Sequence, residues 1–181
     1  MKKILVALAF AVAVLGSPEA EAQFKFGGAG GVSLPLDAAG DVLKSGYHGT
    51  VSIEWLVPVM PISVRVDGSY HRLDADTPAG FSSNGRILAG TGNAVVRIPL
   101  PLLKPYIIGG VGYYDLKFDG SVTGVSGATF TAQSKEFGWN AGAGVGIKVG
   151  SVTVFAEARY HRVILDPVDF VMVPVSIGLQ F

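Results

Sequence analysis

Val171-Met172-Val173-Pro174-Val175-Ser176-Ile177-Gly178-Leu179-Gln180-Phe181 alternates along its whole length. Val171, Val173, Val175, Ile177, Leu179 and Phe181 share one face, on which no charge falls. Met172, Pro174, Ser176, Gly178 and Gln180 take the other, and Ser176, Gly178 and Gln180 make it polar or small. A period of two is a β-strand seen from both sides. An uncharged face ending in an aromatic ring suits a strand whose outer side meets lipid, and it is the expectation from which the rest of the reading grows.

Other segments repeat the pattern with charge on one side. Val51, Ile53 and Trp55 alternate with Thr50, Ser52 and Glu54. Ile62, Val64, Val66 and Tyr70 alternate with Ser63, Arg65, Asp67 and His71. Val152, Val154, Ala156, Ala158 and Tyr160 oppose Thr153, Phe155, Glu157, Arg159 and His161. Arg or Lys on a lipid-facing strand at midplane costs about 2–4 kcal/mol. That cost sets the orientation: charges inside, aliphatics outside. A soluble ligand-binding barrel would show the reverse, an apolar interior under a polar coat.

Strands are expected at about 24–34, 47–56, 61–72, 86–98, 105–116, 136–148, 151–161 and 171–181. Each is close to the roughly 9–11 residues that a tilted strand needs to cross the hydrocarbon. Long connections at 35–46, 73–85, 117–135 and 162–170 alternate with short ones at 57–60, 99–104 and 149–150. Membrane barrels of this kind join their strands by short periplasmic turns and longer external loops. The fold expected is therefore all-β, an eight-stranded antiparallel up-and-down transmembrane β-barrel, with both termini periplasmic. Aromatic residues gather at the strand ends: Tyr47, Tyr70, Tyr114, Phe137, Trp139 and Tyr160 toward the loops, and Phe24, Trp55, Tyr106 and Phe181 toward the turns. Amphipathic rings prefer the headgroup level, so two girdles are expected.

Composition agrees. Hydrophobic residues make up 49% of the 181, and charged residues only 15%; the mean hydropathy is +0.45. Past the N-terminal run, that hydrophobicity is spread as alternation rather than gathered into a helix-length segment. Lys2 and Lys3, the apolar run from Ile4 to Leu15, and Ala20-Glu21-Ala22 read as a secretory signal over residues 1–22, leaving a barrel domain over 23–181. Cysteine is absent, which removes thiol nucleophiles, disulfides and Cys-ligated metals. A formal net charge of zero gives no reason to expect a nucleic-acid partner. Neither a cofactor nor a metal is expected.

Three segments carry a family resemblance: Pro105-Tyr106-Ile107-Ile108-Gly109-Gly110-Val111-Gly112-Tyr113, Phe137-Gly138-Trp139-Asn140-Ala141-Gly142-Ala143-Gly144-Val145-Gly146 and Phe155-Ala156-Glu157-Ala158-Arg159-Tyr160. With the strand ending in Phe181, the chain resembles small outer-membrane β-barrel proteins of the OmpA-transmembrane-domain and OmpX type. The resemblance implies that the final strand, with Ile177, Leu179 and Phe181, is read by the barrel-assembly machinery. Outer-membrane lipid and lipopolysaccharide are the surroundings expected for such a barrel, and a monomer is the default.

Glu54, Arg65, Asp67, Arg97, Lys148, Glu157 and Arg159 are the candidates for an ion-pair network filling the lumen, since eight-stranded barrels are filled by side chains. Buried charges persist only when paired. His48, His71 and His161 each follow a Tyr and are expected at the extracellular rim with inward parity. The function expected is structural or surface-interacting, in adhesion or envelope integrity, and not enzymatic. The 117–135 segment, rich in Thr and Ser, is expected to prolong two strands into a hairpin whose edge a partner protein could pair with. The alternatives are a narrow gated ion pore and a lipid A acyltransferase or deacylase built on Ser69 with His71, or Ser45 with His48.

Overall fold

Inside a hydrocarbon layer every backbone N–H and C=O must find a partner within the protein, which leaves an alternating all-β chain only a closed sheet. The structure, a computed structural model, describes residues 24–36, 44–57, 61–74, 81–122 and 129–181. The signal reading over 1–22 and parts of the connecting loops lie outside these residues. The strands are β1 (Phe24–Leu36), β2 (Gly46–Leu56), β3 (Ile62–Asp74), β4 (Phe81–Arg97), β5 (Leu103–Val122), β6 (Thr129–Val149), β7 (Val152–Val163) and β8 (Phe170–Gln180). Each pairs antiparallel with its neighbour in sequence, and β1 pairs with β8, closing the barrel. The expected architecture is the observed one.

Register puts the alternation to use. Val51, Val66, Ile107 and Ile177 stand 59–69% exposed on the outer wall, while Glu54, Arg65, Asp67, Glu157 and Arg159 are all under 9% exposed within it. Gly150, at φ 64°, opens the two-residue turn between Val149 and Val152, where a positive φ matches the twist of the flanking strands. Between β7 and β8 the ladder is interrupted opposite Pro174 and resumes in the same register at His161–Met172. Proline lacks the N–H that a rung there would need.

Two of the ten aromatic residues assigned to girdles belong elsewhere. Tyr106 and Tyr114 point inward and are buried at 6% and 0% exposure, and Tyr113 supplies the outward ring on β5. Tyr106 fits because it lies over Gly144, where a Cβ would collide with its ring. Tyr47, Tyr70, Phe137 and Trp139 do face outward, and Trp139 leans on Tyr160 with centroids 5.5 Å apart.

A second correction concerns the loop end of the lumen, which is apolar. Leu73, Ile87, Ala89, Tyr114, Leu116, Val163, Phe170 and Met172 pack together there, fringed by Phe118 and Leu165. The inward-facing set is thus polar only up to the level of the histidines.

Strand lengths differ most on one side. β5 runs for 20 residues and β6 for 21, about twice what crossing requires. Among the described residues, 73–74 and 81–85 of one expected connection and 117–122 and 129–135 of the other are strand, and β4, β5 and β6 project past the level where β7 ends. Outward residues near the midplane carry the membrane fit. Val66→Arg is expected to lower unfolding stability in lipid vesicles by about 2–4 kcal/mol. A denaturant titration showing a loss well under 1 kcal/mol would contradict the assignment of that face.

Candidate functional site

The lumen is built in layers, and the inward face of β3 crosses nearly all of them: Ser63, Arg65, Asp67, Ser69, His71, Leu73. At the turn end, Glu54 of β2 meets Arg97 of β4. Arg97 grips both carboxylate oxygens, with Nη2 2.7 Å from Oε2. Ser63 donates to Oε1, and Gln180 donates to Oε2 at 2.8 Å. Glu54 is fully buried, so each of these donors replaces water that the carboxylate lost on folding. The Arg97 guanidinium also stands 5.8 Å from the centre of the Tyr106 ring.

Above it lies a closed ring of four ion pairs. Arg65 contacts Glu157 (2.6 Å) and Asp67 (3.1 Å), and Arg159 contacts Glu157 (2.6 Å) and Asp67 (2.8 Å). The Arg65 Nε to Asp67 contact lacks hydrogen-bond geometry and is Coulombic. Neutral donors complete the shell: Tyr106 donates to Glu157 at 2.8 Å, and Asn93 to Asp67 at 2.8 Å. Asn140 donates to Asn93 at 2.9 Å, which ties β6 to β4. A Cβ at Gly142 would strike Arg159 itself, so glycine on β6 makes room for the ring. Two charges of each sign, all buried, alternate around the circuit and cancel.

The next layer holds the three histidines. Ser33 Oγ lies between His48 Nδ1 (3.1 Å) and His71 Nδ1 (2.8 Å). His48 Nε2 reaches past β1 to Ser176 at 2.8 Å, and His71 Nε2 reaches Ser69 at 3.0 Å. His161 Nδ1 meets Tyr114 OH at 2.9 Å. His48 stacks on His71 with centroids 5.1 Å apart, and His161 comes edge-on to His71 at 6.3 Å. These side chains are 1–5% exposed, so they lie within the lumen beneath the apolar layer rather than on an extracellular rim. Among the described residues no His, Asp or Glu cluster has the geometry of a metal centre. The layer retains a cavity of about 20 Å³, room for about one water.

The sequence candidates therefore divide. Glu54 and Arg97 form one pair, and Arg65, Asp67, Glu157 and Arg159 the ring. Lys148 joins neither and is exposed at the turn end. Ser69 does meet His71, whereas Ser45 is exposed outside the strands. Tyr106, Tyr114, Asn93, Asn140 and Ser33 complete the network and were not among the candidates. The signal that reveals them is inward parity, once the pleat is fixed by the charged strands. On the outside of the projection, Asp119 accepts from Thr131 and Arg86, both at 2.9 Å. Those donors hold its carboxyl below the usual range, the Thr131 bond being the larger cause.

Removing one member of the ring strands a buried guanidinium. Glu157→Gln is expected to cost about 3–5 kcal/mol in unfolding stability. Lys148→Gln, which breaks no ion pair, should stay within about 0.5 kcal/mol. Equal losses for the two variants, measured by denaturant titration of the folded barrel, would contradict the network.

The geometry can be set beside known proteins. No curated protein sequence matches the chain. Neisserial surface protein A is similar in fold, with a TM-score of 0.60 at 14% identity over 87% of this chain and 95% of that one. A major outer membrane protein from Thermus thermophilus scores 0.61 at 14% identity, over 88% of this chain and 98% of that one. Ail, the attachment invasion locus protein of Yersinia pestis, solved with the heparin analogue sucrose octasulfate, scores 0.54 at 14% identity, over 88% and 99%. At these identities the likeness is one of fold. The sequence profile of the outer membrane protein beta-barrel domain matches residues 4–181. The chain belongs to that family and is an integral β-barrel protein of the outer membrane.

Proposed function

We propose that the protein is a closed barrel with a side-chain-filled lumen that works through its outer surface, offering the β4–β5–β6 projection to a partner protein. The observation that carries this reading is a bare strand edge. Pairing of β6 with β7 stops at Gly138–Val163, with one further bond from Ile164 N–H to the Phe137 carbonyl at 3.0 Å. β6 continues to Thr129, paired on its other side with β5. Because Phe137 turns its carbonyl toward β7, the backbone groups of Thr131, Gln133 and Lys135 point the same way. Among the described residues no strand meets them. Such an edge adds a partner's strand by main-chain hydrogen bonds.

Other features support the same reading. The paired layers leave a lumen without uncancelled charge at its middle, which favours a barrel that holds its shape over one that conducts. Of the serine–histidine pairs of the enzymatic reading, Ser69–His71 faces the lumen beneath the apolar cap and Ser45 stands apart from His48; no carboxylate orients a histidine among the described residues, as an acyl-transfer site would need. The short turns lie at the end where β1 begins and β8 finishes, which is the arrangement for periplasmic termini. Ile177, Leu179 and Phe181 face outward there, in position for the assembly machinery.

Lipopolysaccharide is the lipid partner we assign to the outer face. Arg72, Arg86 and Lys117 stand directly opposite one another on β3, β4 and β5, just above Tyr70 and Tyr113. Like charges in register repel; Asp119 offsets part of that at Arg86 and Lys117, and lipid phosphates at that level would offset the rest. Arg72→Gln/Lys117→Gln is expected to reduce the lipopolysaccharide that co-purifies with the detergent-extracted protein; an unchanged ratio would contradict the assignment.

Adherence tests the main proposal. Bacteria displaying the protein should bind epithelial monolayers above the empty-vector level. Deletion of 119–131, or Gln133→Pro, which removes one edge donor and, of the contacts to β5, the Gln133 side-chain bond to Asp115 rather than a backbone rung, should return binding toward that level. Full adherence by both variants, with the barrel still heat-modifiable on gels, would overturn the proposal.

A further inference from the structure

The turn-end mouth of the lumen is built differently from the layers above it. Lys25 on β1, Arg97 on β4, Lys104 on β5 and Lys148 on β6 have inward parity at the lower ends of their strands. Lys25, Arg97 and Lys104 line one cavity of about 180 Å³, together with Tyr106, Thr153 and Gln180. Lys148 stands opposite Thr153 on the neighbouring strand. Among the described residues the one side-chain carboxylate at this level is Glu54, and its oxygens are already taken by Arg97, Ser63 and Gln180. Lys25, Lys104 and Lys148 form no ion pair among the described residues. Arg97, Lys104 and Lys148 all repel the charge of Lys25, and only Glu54 attracts it.

Everywhere else in the lumen, charge is cancelled by charge. Here the ammonium groups of Lys25 and Lys104 and the Arg97 guanidinium line one cavity with low-dielectric walls, an arrangement that focuses positive potential and concentrates anions. The cavity is smaller than the roughly 300–1,000 Å³ of pockets that enclose drug-sized ligands, so it suits an ion rather than a peptide or a sugar chain. Two lysines with rotatable donors, a guanidinium edge and the Thr153 hydroxyl match an oxyanion carrying more than one charge. The ion-pair ring forms the ceiling, which makes the mouth a closed-ended bowl rather than the entrance to a path.

We propose that the turn-end mouth of the barrel is a binding site for a small soluble polyvalent oxyanion of the phosphate class, held by Lys25 and Lys104 with Arg97, while Lys148 adds positive charge beside it. The site is independent of the projection at the other end of the molecule. Phosphate-bearing lipid headgroups share the chemistry but are anchored outside the barrel wall, whereas the cavity opens along the barrel axis.

Isothermal titration of the protein, folded in a maltoside detergent that carries no phosphate, with sodium pyrophosphate tests the site. Saturable one-to-one binding is expected, at least tenfold weaker in Lys25→Gln/Lys104→Gln. It should change less than twofold in Lys44→Gln/Lys135→Gln, which removes the same charge from the loop end. Heat-modifiable gel mobility establishes that each variant is folded. A parallel titration with a short-chain phosphatidic acid separates the sources of phosphate. Absence of saturable pyrophosphate binding, equal weakening in the two double variants, or binding of the phosphatidic acid alone would each overturn the proposal.

Discussion

Backbone polarity cannot be left open in hydrocarbon, and from that constraint the remaining features of this chain descend. Closing the sheet satisfies the strands laterally, through β1 against β8 as through every other pair. Closure then divides the side chains by parity into two sets with different solvents. The outer set meets lipid and is aliphatic between aromatic bands. The inner set is confined to a lumen too narrow for bulk water, so its charges must find one another. Arg65, Asp67, Arg159 and Glu157 do so as an alternating circuit contributed by only two strands, β3 and β7, that face each other across the barrel. The circuit is a strut. It holds opposite walls at a fixed distance; on β6, Gly142 clears the space for Arg159 and Gly144 the space for Tyr106, which donates to Glu157.

Layering gives the two ends of the molecule different characters. Toward the loops the interior dries out, from the serine-bridged histidines to the apolar packing around Leu73, Leu116 and Met172. Above that cap, strands no longer need to face lipid, and the β4–β5–β6 sheet extends with Thr, Ser, Lys and Asp on its surface. Toward the turns the interior becomes cationic and open. A barrel sealed in its middle can carry distinct surface chemistries at its two mouths, because neither has to serve as the entrance to the other.

Much of this was legible in the residues. Strict alternation on β2, β3, β7 and β8 identified the fold, its orientation and the members of the ring, because a misplaced charge in lipid is too costly to occur by drift. Legibility failed where glycine removed the contrast between faces. Gly109, Gly110 and Gly112 leave β5 without a clear pleat, which is why Tyr106 and Tyr114 read as girdle residues although they point inward. The histidines were given inward parity, but their convergence depends on the barrel's small bore, which brings β7 close to β2 and β3 across the lumen. Their common height is the one sequence-level trace of it. The length of β5 and β6 was hidden by Thr, Ser and Gly, residues as common in loops as in solvated strands.

The central claim is that buried charge in the lumen is stabilising only as a closed, balanced set. A double-mutant cycle on Arg65 and Glu157, read by denaturant unfolding in vesicles, measures that coupling directly. Replacing both by Met leaves Arg159 and Asp67 as a balanced pair, so the double variant should be clearly more stable than Glu157→Met alone. If the two single losses simply add, the side chains act independently and the account of the lumen as one electrostatic unit is wrong.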